Sequence, residues 1–194
     1  MRISFLTGVI AGLLLTAWVR AQPVIQDATE YYEFSAATRA EIWHQILANS
    51  PKGSVEMAGH HAVNVATTEW RFEGHYRYEA SLFKCRIIDV QPVLYITIHL
   101  PHWNNKWQAD AKLAEDWDRY VRMVSNHEAI HRRYAIKMAE EYEKTLNELD
   151  TYKSCRDLND DVTKIKDRLI GKYRAKNLWF DAQEFEYQKE LNWF

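Results

Sequence analysis

Apolar residues recur with the period of an α-helix between Leu113 and Leu149, in the second half of this chain. The repeat predicts one long helix, or two helices in line, with a single apolar face that the rest of the fold has to cover. Its apolar positions are Leu113, Trp117, Tyr120, Val121, Val124, Tyr134, Ala135, Met138, Tyr142, Leu146 and Leu149. A further helix is predicted over residues 158–177, and the aromatic tail at residues 178–194 is too apolar for an ordinary disordered terminus.

The first half of the chain has the composition of β-strands with one helix. Thr38, with Glu41 three residues later, is a typical start for a helix that ends near Asn49. Aromatic residues alternate on either side of Gly74, which predicts a strand pair or a bent hairpin over residues 62–79. Residues 85–101 predict a strand with Leu94 and Ile96 on one face, ended by Pro101. The fold class expected from this order is α+β.

The N-terminal segment resembles a secretory signal peptide. Residues 3–19 are apolar, they follow Arg2, and small or tolerated residues precede a cleavage point after Ala21. The segment is short for a bilayer span and is interrupted by Gly8 and Gly12, although an uncleaved anchor is the alternative. We therefore expect a signal peptide at residues 1–21, one domain at 22–194, no stable membrane span after cleavage, and a periplasmic or secreted protein.

Length, composition and charge restrict the remaining classes. The chain has 194 residues, 47% of them hydrophobic, which is enough for one packed core and too little for two ordinary domains. Its formal net charge is −2, and loss of Arg2 and Arg20 with the signal would make it more negative. Since no basic patch interleaved with aromatic residues stands out, nucleic acid is not an expected partner.

Cys85 and Cys155 are the two cysteines of the chain. An exported protein meets an oxidising compartment, where an even pair of cysteines usually bonds. We predict a disulfide between them, and closing a loop of about 70 residues stabilises a fold by roughly 4 kcal/mol in the chain-entropy account.

The segment "HEAIH" places His127 and His131 one turn apart on the predicted long helix, with Glu128 after the first histidine. Two neutral imidazoles at this spacing can hold one Zn²⁺, and the glutamate is then placed to act as general base towards a water that the metal activates. The pair continues the apolar stripe, so both rings are expected to face the interior. The alternative is that both are hydrogen-bonded core histidines and Glu128 is a solvated charge.

A third metal ligand has to come from outside this helix segment. Glu140 and Glu141 lie about 14 to 15 Å further along the helix axis than His131, too far to reach the same ion. The carboxylates of the tail and four histidines remain as candidates. They are Asp181, Glu184, Glu186, His60, His61, His99 and His102.

Several segments together resemble a family of exported bacterial proteins, the domain of unknown function 922, commonly described as predicted zinc-dependent proteases. The matching segments are "YYEFSAATRAEI", "TTEWRFEGHYRY", "KCRIIDV", "LPHW", "HEAIH" and "SCRDL". The resemblance implies a small zincin-like domain, in which an N-terminal antiparallel sheet with one helix precedes the long H-E-x-x-H helix and a C-terminal helix. It also implies His127, Glu128 and His131 as the site.

The late part of the chain departs from the family pattern. Family members often end with a tyrosine-aspartate element followed by threonine, histidine and glycine, whereas "FDAQEFEY" keeps Asp181 and has Glu186 where histidine is expected. If the family's histidine completes the metal site, Glu186 takes its place as an oxygen ligand. The expected site is then His127, His131 and Glu186 around Zn²⁺, with Glu128 as the catalytic base.

Two functions from different classes are consistent with the sequence. The first is a zinc metallopeptidase acting on a peptide or protein substrate. The second is a non-catalytic envelope protein, a binding or scaffold module that keeps the same fold. Trp103 and Trp107 lie between the predicted strand and the site helix, where they would either line a substrate cleft or anchor the loop to the core.

Overall fold

The computed structural model describes residues 22–52, 54–57 and 60–190, and the side chains of 54–57, 60–63 and 185–190 lie outside the described part. The signal peptide prediction for residues 1–21 therefore also lies outside it. The strands are β1 (Val24–Phe34), β2 (Ser54–Met57), β3 (His60–Val63), β4 (Thr67–Glu73), β5 (Tyr76–Ser81), β6 (Lys84–Val90) and β7 (Val93–Trp103). The helices are α1 (Arg39–Asn49), α2 (Ala111–Asn147) and α3 (Cys155–Glu190), with a 3₁₀ turn at Lys106–Gln108.

This order confirms an α+β fold with an N-terminal sheet region and two long C-terminal helices. The start of α1 is as predicted: the Thr38 hydroxyl accepts a hydrogen bond from the Glu41 backbone N–H, and the Glu41 carboxylate accepts one from Ala37. None of the helices in the described part of the chain is both long and apolar enough to cross a bilayer.

The main sheet is mixed, which corrects the expectation of an antiparallel sheet. Its strand order is β1-β7-β4, and β1 runs parallel to β7 from Val24 opposite Val93 to Phe34 opposite Trp103. β4 runs antiparallel to β7. Parallel pairing requires a long crossover between the two strands, and the elements between β1 and β7 provide it.

The strands on either side of Gly74 do not pair with each other, so the predicted strand pair over residues 62–79 is wrong. β4 joins the main sheet, whereas β5 pairs with β6 in a separate hairpin. Gly74 lies between them, and a Cβ built there would be 2.5 Å from the Tyr142 hydroxyl oxygen. The alternating aromatic residues indicate two strands, as observed, but the strands belong to different sheets and separate where Tyr142 of α2 approaches Gly74.

Strand β7 does not end at Pro101, as the sequence predicted, but continues to Trp103. Its pairing with β4 extends only to His99, opposite Thr67, whereas its pairing with β1 continues through Pro101. Beyond His99, β7 therefore has β1 as its one described partner strand. Pro101 has no backbone N–H to donate, and a strand tolerates proline where one of its edges carries no pairing.

Helix α2 is continuous from Ala111 to Asn147, and the Asp110 carboxylate caps its first turn by accepting from Lys112 and Leu113. Its two halves pack into different hydrophobic clusters. Trp117, Tyr120 and Val124 lie in a cluster with Phe34, Ile42, Ile46 and Trp103. Ala135, Met138, Ala139, Tyr142 and Leu146 lie in a second cluster with Leu94, Ile96, Leu158 and Leu169.

The Cys85–Cys155 disulfide is present, as predicted, with the sulfur atoms 2.15 Å apart. It joins the first part of β6 to the first residue of α3. Beside it, Cys85 exchanges two backbone hydrogen bonds with Tyr152, each 2.8 Å long. The start of α3 is thus held to the β5–β6 hairpin by a covalent bond and a backbone bridge.

Candidate metal centre

Three side-chain atoms from two helices converge between α2 and α3. The Nε2 atoms of His127 and His131 are 2.9 Å apart, and the Oδ1 atom of Asp181 lies 3.2 Å from the first and 2.8 Å from the second. His127 and His131 are one turn apart on α2, and Asp181 comes from α3. All three side chains are half-buried, and in the described part of the chain theirs is the one group of three potential metal ligands that meets.

The triangle formed by these atoms has the size of one face of a tetrahedral metal site. Ligand atoms bound at about 2.0 Å in tetrahedral geometry are about 3.3 Å apart, close to the separations here. A point about 2 Å from all three atoms therefore exists just outside their plane. Two imidazole nitrogens and one carboxylate oxygen form a donor set that suits Zn²⁺, so the residues present fit the ion that the sequence implied.

Asn177 fixes the orientation of the His131 ring. The Asn177 Oδ1 atom lies 2.7 Å from His131 Nδ1, and the Asn177 Nδ2 group donates a 2.9 Å hydrogen bond to the backbone carbonyl of Tyr173. Since the amide nitrogen is engaged with Tyr173, the amide oxygen faces the ring and accepts from the Nδ1–H group. The lone pair of the neutral ring is then on Nε2, the atom that faces His127 and Asp181.

The charges of the cluster support one another. Burial lowers the pKa of His131, but hydrogen bonds to Asp181 and Asn177 and the charges of Asp181 and Glu128 outweigh burial, so the pKa is raised. Burial raises the pKa of Asp181, but hydrogen bonds from His127 and from the protonated form of His131, with the charges of both rings, hold that pKa at about 2. Asp181 is thus an ionised carboxylate at neutral pH, as a metal ligand has to be.

Phe180, next to Asp181 on α3, covers one side of the histidine pair. Its ring stacks on His127 with centroids 4.7 Å apart and meets His131 edge-on at 5.5 Å.

The Nδ1 atom of His127 and the hydroxyl of Thr67 are buried, and neither has a hydrogen-bond partner in the described part of the structure. Both residues line the cleft described below, and buried polar atoms without a partner are uncommon in proteins.

Glu128 is buried, with 5% of its surface exposed, which contradicts the alternative of a solvated helix charge. The hydroxyl of Thr68 on β4 donates a 2.7 Å hydrogen bond to Glu128 Oε2 and also lies 3.2 Å from the Glu128 backbone carbonyl. Helix α2 therefore buries its glutamate against the sheet. The two histidines, expected to face the interior, are half-buried and face α3 instead.

A cleft of about 690 Å³ opens beside the cluster. His127, Glu128, His131 and Asp181 all line it. One wall is formed by residues 64–70, which include the start of β4, and the other by Asn177, Leu178 and neighbouring residues of α3. β4 is the outer strand of the main sheet as described, so its second edge carries no described strand beside this cleft.

The remaining candidates from the sequence fall in different places. Glu184 lines the cleft but is not among the three converging groups. The side chains of Glu186, His60 and His61 lie outside the described residues, so Glu186 stays a prediction. His99 faces Glu30 at 3.5 Å, and His102 contacts the Tyr31 ring, so neither joins the cluster.

Neither tryptophan of the aromatic loop lines the cleft. Trp103 is buried, and its indole N–H donates to the Ala36 carbonyl at 3.1 Å and lies 2.8 Å from Asn105 Oδ1, so it anchors the loop to the core. Trp107 is 79% exposed.

Thr68, Asn177 and Phe180 are the site residues that sequence reasoning missed. Tyr173, Asn177 and Asp181 are spaced four residues apart and therefore share one face of α3. That spacing could have singled out Asn177 once Asp181 was considered. Thr68 carried no comparable signal, because its contact with Glu128 spans 60 residues of sequence.

Comparison with known proteins gives one match. The model of a family described as bacterial protein of unknown function (DUF922) matches residues 29–188, which include all the residues of the cluster. No significant match was found among curated proteins or among solved structures.

Proposed function

We propose that this chain, which belongs to the family of bacterial proteins of unknown function DUF922, is an exported zinc-dependent metallopeptidase of the periplasm or the extracellular space. The observation that carries the proposal is the convergence of His127 Nε2, His131 Nε2 and Asp181 Oδ1 within 3.2 Å of one another beside an open cleft. Three protein ligands leave a coordination position free, as in catalytic zinc sites, whereas structural sites are closed by four.

In this proposal His127, His131 and Asp181 hold the ion. Asp181 takes the place that the family resemblance gave to Glu186, because Asp181 is the tail carboxylate that contacts both histidines. A zinc ion bound there would polarise the substrate carbonyl and lower the pKa of water to roughly 7.

Glu128 is the general base. The Thr68 hydroxyl holds Glu128 Oε2, which leaves Oε1 to accept a proton from the attacking water. Asn177 holds His131 with its Nε2 lone pair towards the ligand position, and Phe180 restricts water on one side of the pair. After attack, Glu128 returns the proton to the leaving amine, so the carboxylate is regenerated at the end of each cycle.

The expected substrate is an extended segment of peptide. The open edge of β4 runs along the cleft, and an extended chain can add to such an edge through backbone hydrogen bonds. β7 is the central strand between β1 and β4, so beside this cleft β4 and not β7 offers such an edge.

The first experiment is the metal content of the purified protein and of a His127→Ala, His131→Ala double variant. A His44→Ala, His75→Ala double variant is the matched control, since both of these histidines lie outside the cluster. We expect one zinc per chain in the wild type and in the control, and none in the cluster variant. A wild type that takes up no zinc at neutral pH would overturn the proposal.

The second experiment separates catalysis from metal binding. Glu128→Gln should keep the zinc and lower the hydrolysis of a peptide library by at least about a hundredfold, because it removes the general base. A non-catalytic binding or scaffold protein would show no hydrolysis in the wild type and the same zinc content in both.

A further inference from the structure

The β5–β6 hairpin carries two large apolar side chains at its tip. Ser81 pairs with Lys84, so Leu82 and Phe83 form the two-residue turn between the strands. Leu82 is 88% exposed and Phe83 is 75% exposed. Both rank among the most exposed large hydrophobic side chains of the described residues.

Neither the turn nor the core accounts for these residues. Two-residue hairpin turns favour glycine, asparagine and aspartate, which tolerate the backbone angles that such turns require. Leucine and phenylalanine have no such advantage there, and neither side chain belongs to one of the two hydrophobic clusters. An apolar pair at this position exposes surface to water without stabilising the fold.

The hairpin is held close to its tip. Cys85 lies opposite Ala80, one pair away from the turn, and its disulfide to Cys155 and two backbone hydrogen bonds with Tyr152 fix this end of the ribbon to the start of α3. Ion pairs across the ribbon, between Arg77 and Asp89 and between Arg86 and Glu79, connect its two strands. The tip is therefore presented on a braced ribbon.

The charge of the hairpin is opposite to that of the chain. Residues 76–90 contain Arg77, Lys84 and Arg86 against Glu79 and Asp89, an excess of one positive charge, whereas the whole chain has a net charge of −2. Both arginines are paired with the two acidic residues of the ribbon. Lys84, directly after Phe83, supplies the excess charge.

We propose that this tip, Leu82 to Lys84, binds the surface of an anionic lipid bilayer. Leu82 and Phe83 enter the boundary between headgroups and acyl chains, and the Lys84 ammonium contacts the anionic headgroups. A protein partner is less suited to this tip, since a stable interface covers about 800 Å² on each side and three residues at a turn, one of them aromatic, present less than that. The inference does not depend on the metal site.

Vesicle flotation tests the proposal. The vesicles contain one part phosphatidylglycerol to two parts phosphatidylcholine, with pure phosphatidylcholine vesicles as the uncharged comparison. The variants are Leu82→Ser, Phe83→Ser in one chain and Lys84→Gln in another, with Trp107→Ser as the control that removes an exposed apolar side chain elsewhere. All proteins have the same N-terminus, so any contribution of residues 3–19 is equal.

The serine pair should lower binding to the anionic vesicles about tenfold or more, and Lys84→Gln should lower it about fivefold. The Trp107→Ser control should bind as the wild type does, and melting curves will show that serine in the turn keeps the fold. A wild type that does not float with anionic vesicles, or a serine pair that floats equally well, would overturn the proposal. So would a serine pair that loses only self-association in sedimentation velocity, because the tip would then contact a second copy.

Discussion

Helices α2 and α3 are almost equal in length but are held in the fold in different ways. α2 has buried residues from Trp117 to Leu146 and contributes to both hydrophobic clusters. In the part of α3 whose side chains are described, the buried residues are Leu158, Val162, Leu169 and Tyr173, and they end near the middle of the helix. None of residues 174–184, in its second half, is buried. Yet Asn177, Phe180 and Asp181 all come from that second half.

The second half of α3 is positioned by polar contacts rather than by core packing. Glu141 on α2 accepts hydrogen bonds from Lys172 at 2.6 Å and from the Tyr173 hydroxyl at 2.9 Å. One and two turns later, Asn177 and Asp181 contact the histidines. The comparison shows that α2 supplies the rigid part of the site, and that α3 is aligned to it by a row of hydrogen bonds and charges.

The largest expected effect on stability is in α2. Met138→Ala should lower the free energy of unfolding by about 2–5 kcal/mol, because the side chain is fully buried and its removal leaves a cavity. Leu178→Ala on α3 is the matched control and should change it by less than about 0.5 kcal/mol, since Leu178 is 70% exposed. Urea unfolding of the metal-free proteins measures both. Equal losses would show that the second half of α3 is held by packing after all.

For metal binding, Asp181→Ala in α3 is expected to have a larger effect than Met138→Ala in α2. Asp181→Ala should weaken zinc binding by more than about a hundredfold, because it removes a direct ligand of the metal. Loss of a residue that only contacts a ligand typically costs about 10- to 100-fold in affinity. Asp181→Ala should destabilise the metal-free protein less than Met138→Ala does. Competition with a chromophoric chelator measures the affinity.

Two further carboxylates of α3 make the Asp181 prediction specific. Glu184→Ala, which changes a residue that lines the cleft outside the cluster, should bind zinc as the wild type does. Glu186→Ala tests the ligand expected from the family pattern. If Glu186→Ala loses zinc and Asp181→Ala keeps it, the assignment of the third ligand to Asp181 is wrong.

The smallest of these effects concerns the alignment of the two helices. Asn177→Leu should weaken zinc binding by about 10- to 100-fold, because His131 Nδ1 loses its acceptor. Asn177→Asp keeps an acceptor oxygen and should retain most of the affinity. Asn159→Leu is the control, as it removes another asparagine contact of α3, to the Tyr76 hydroxyl, outside the cluster. Equal zinc affinity in Asn177→Leu and Asn159→Leu would contradict a positioning role.

Much of the fold could be predicted from local patterns. The helical repeat predicted α2, Thr38 with Glu41 predicted the start of α1, and the cysteine pair predicted the disulfide, because each depends on spacing or on a pair with no competitor. The parallel pairing of β1 with β7 could not be predicted in the same way. The sequence of a strand does not by itself fix the direction of its partner, and only the packing of the elements between β1 and β7 selects the parallel one.

The candidate site also has a part that local spacing predicts and a part that only the packing of distant elements brings together. The sequence by itself determined the pair His127 and His131 with Glu128 between them, since residues one turn apart on a helix must share a face. Only the tertiary structure decided that Asp181 and Asn177 meet that pair and that Thr68 holds Glu128. Those contacts span 46 to 60 residues of sequence and exist because α3 and β4 pack against neighbouring faces of the same turn of α2. No local spacing encodes such an arrangement, since it depends on how every buried surface of the fold is covered at once.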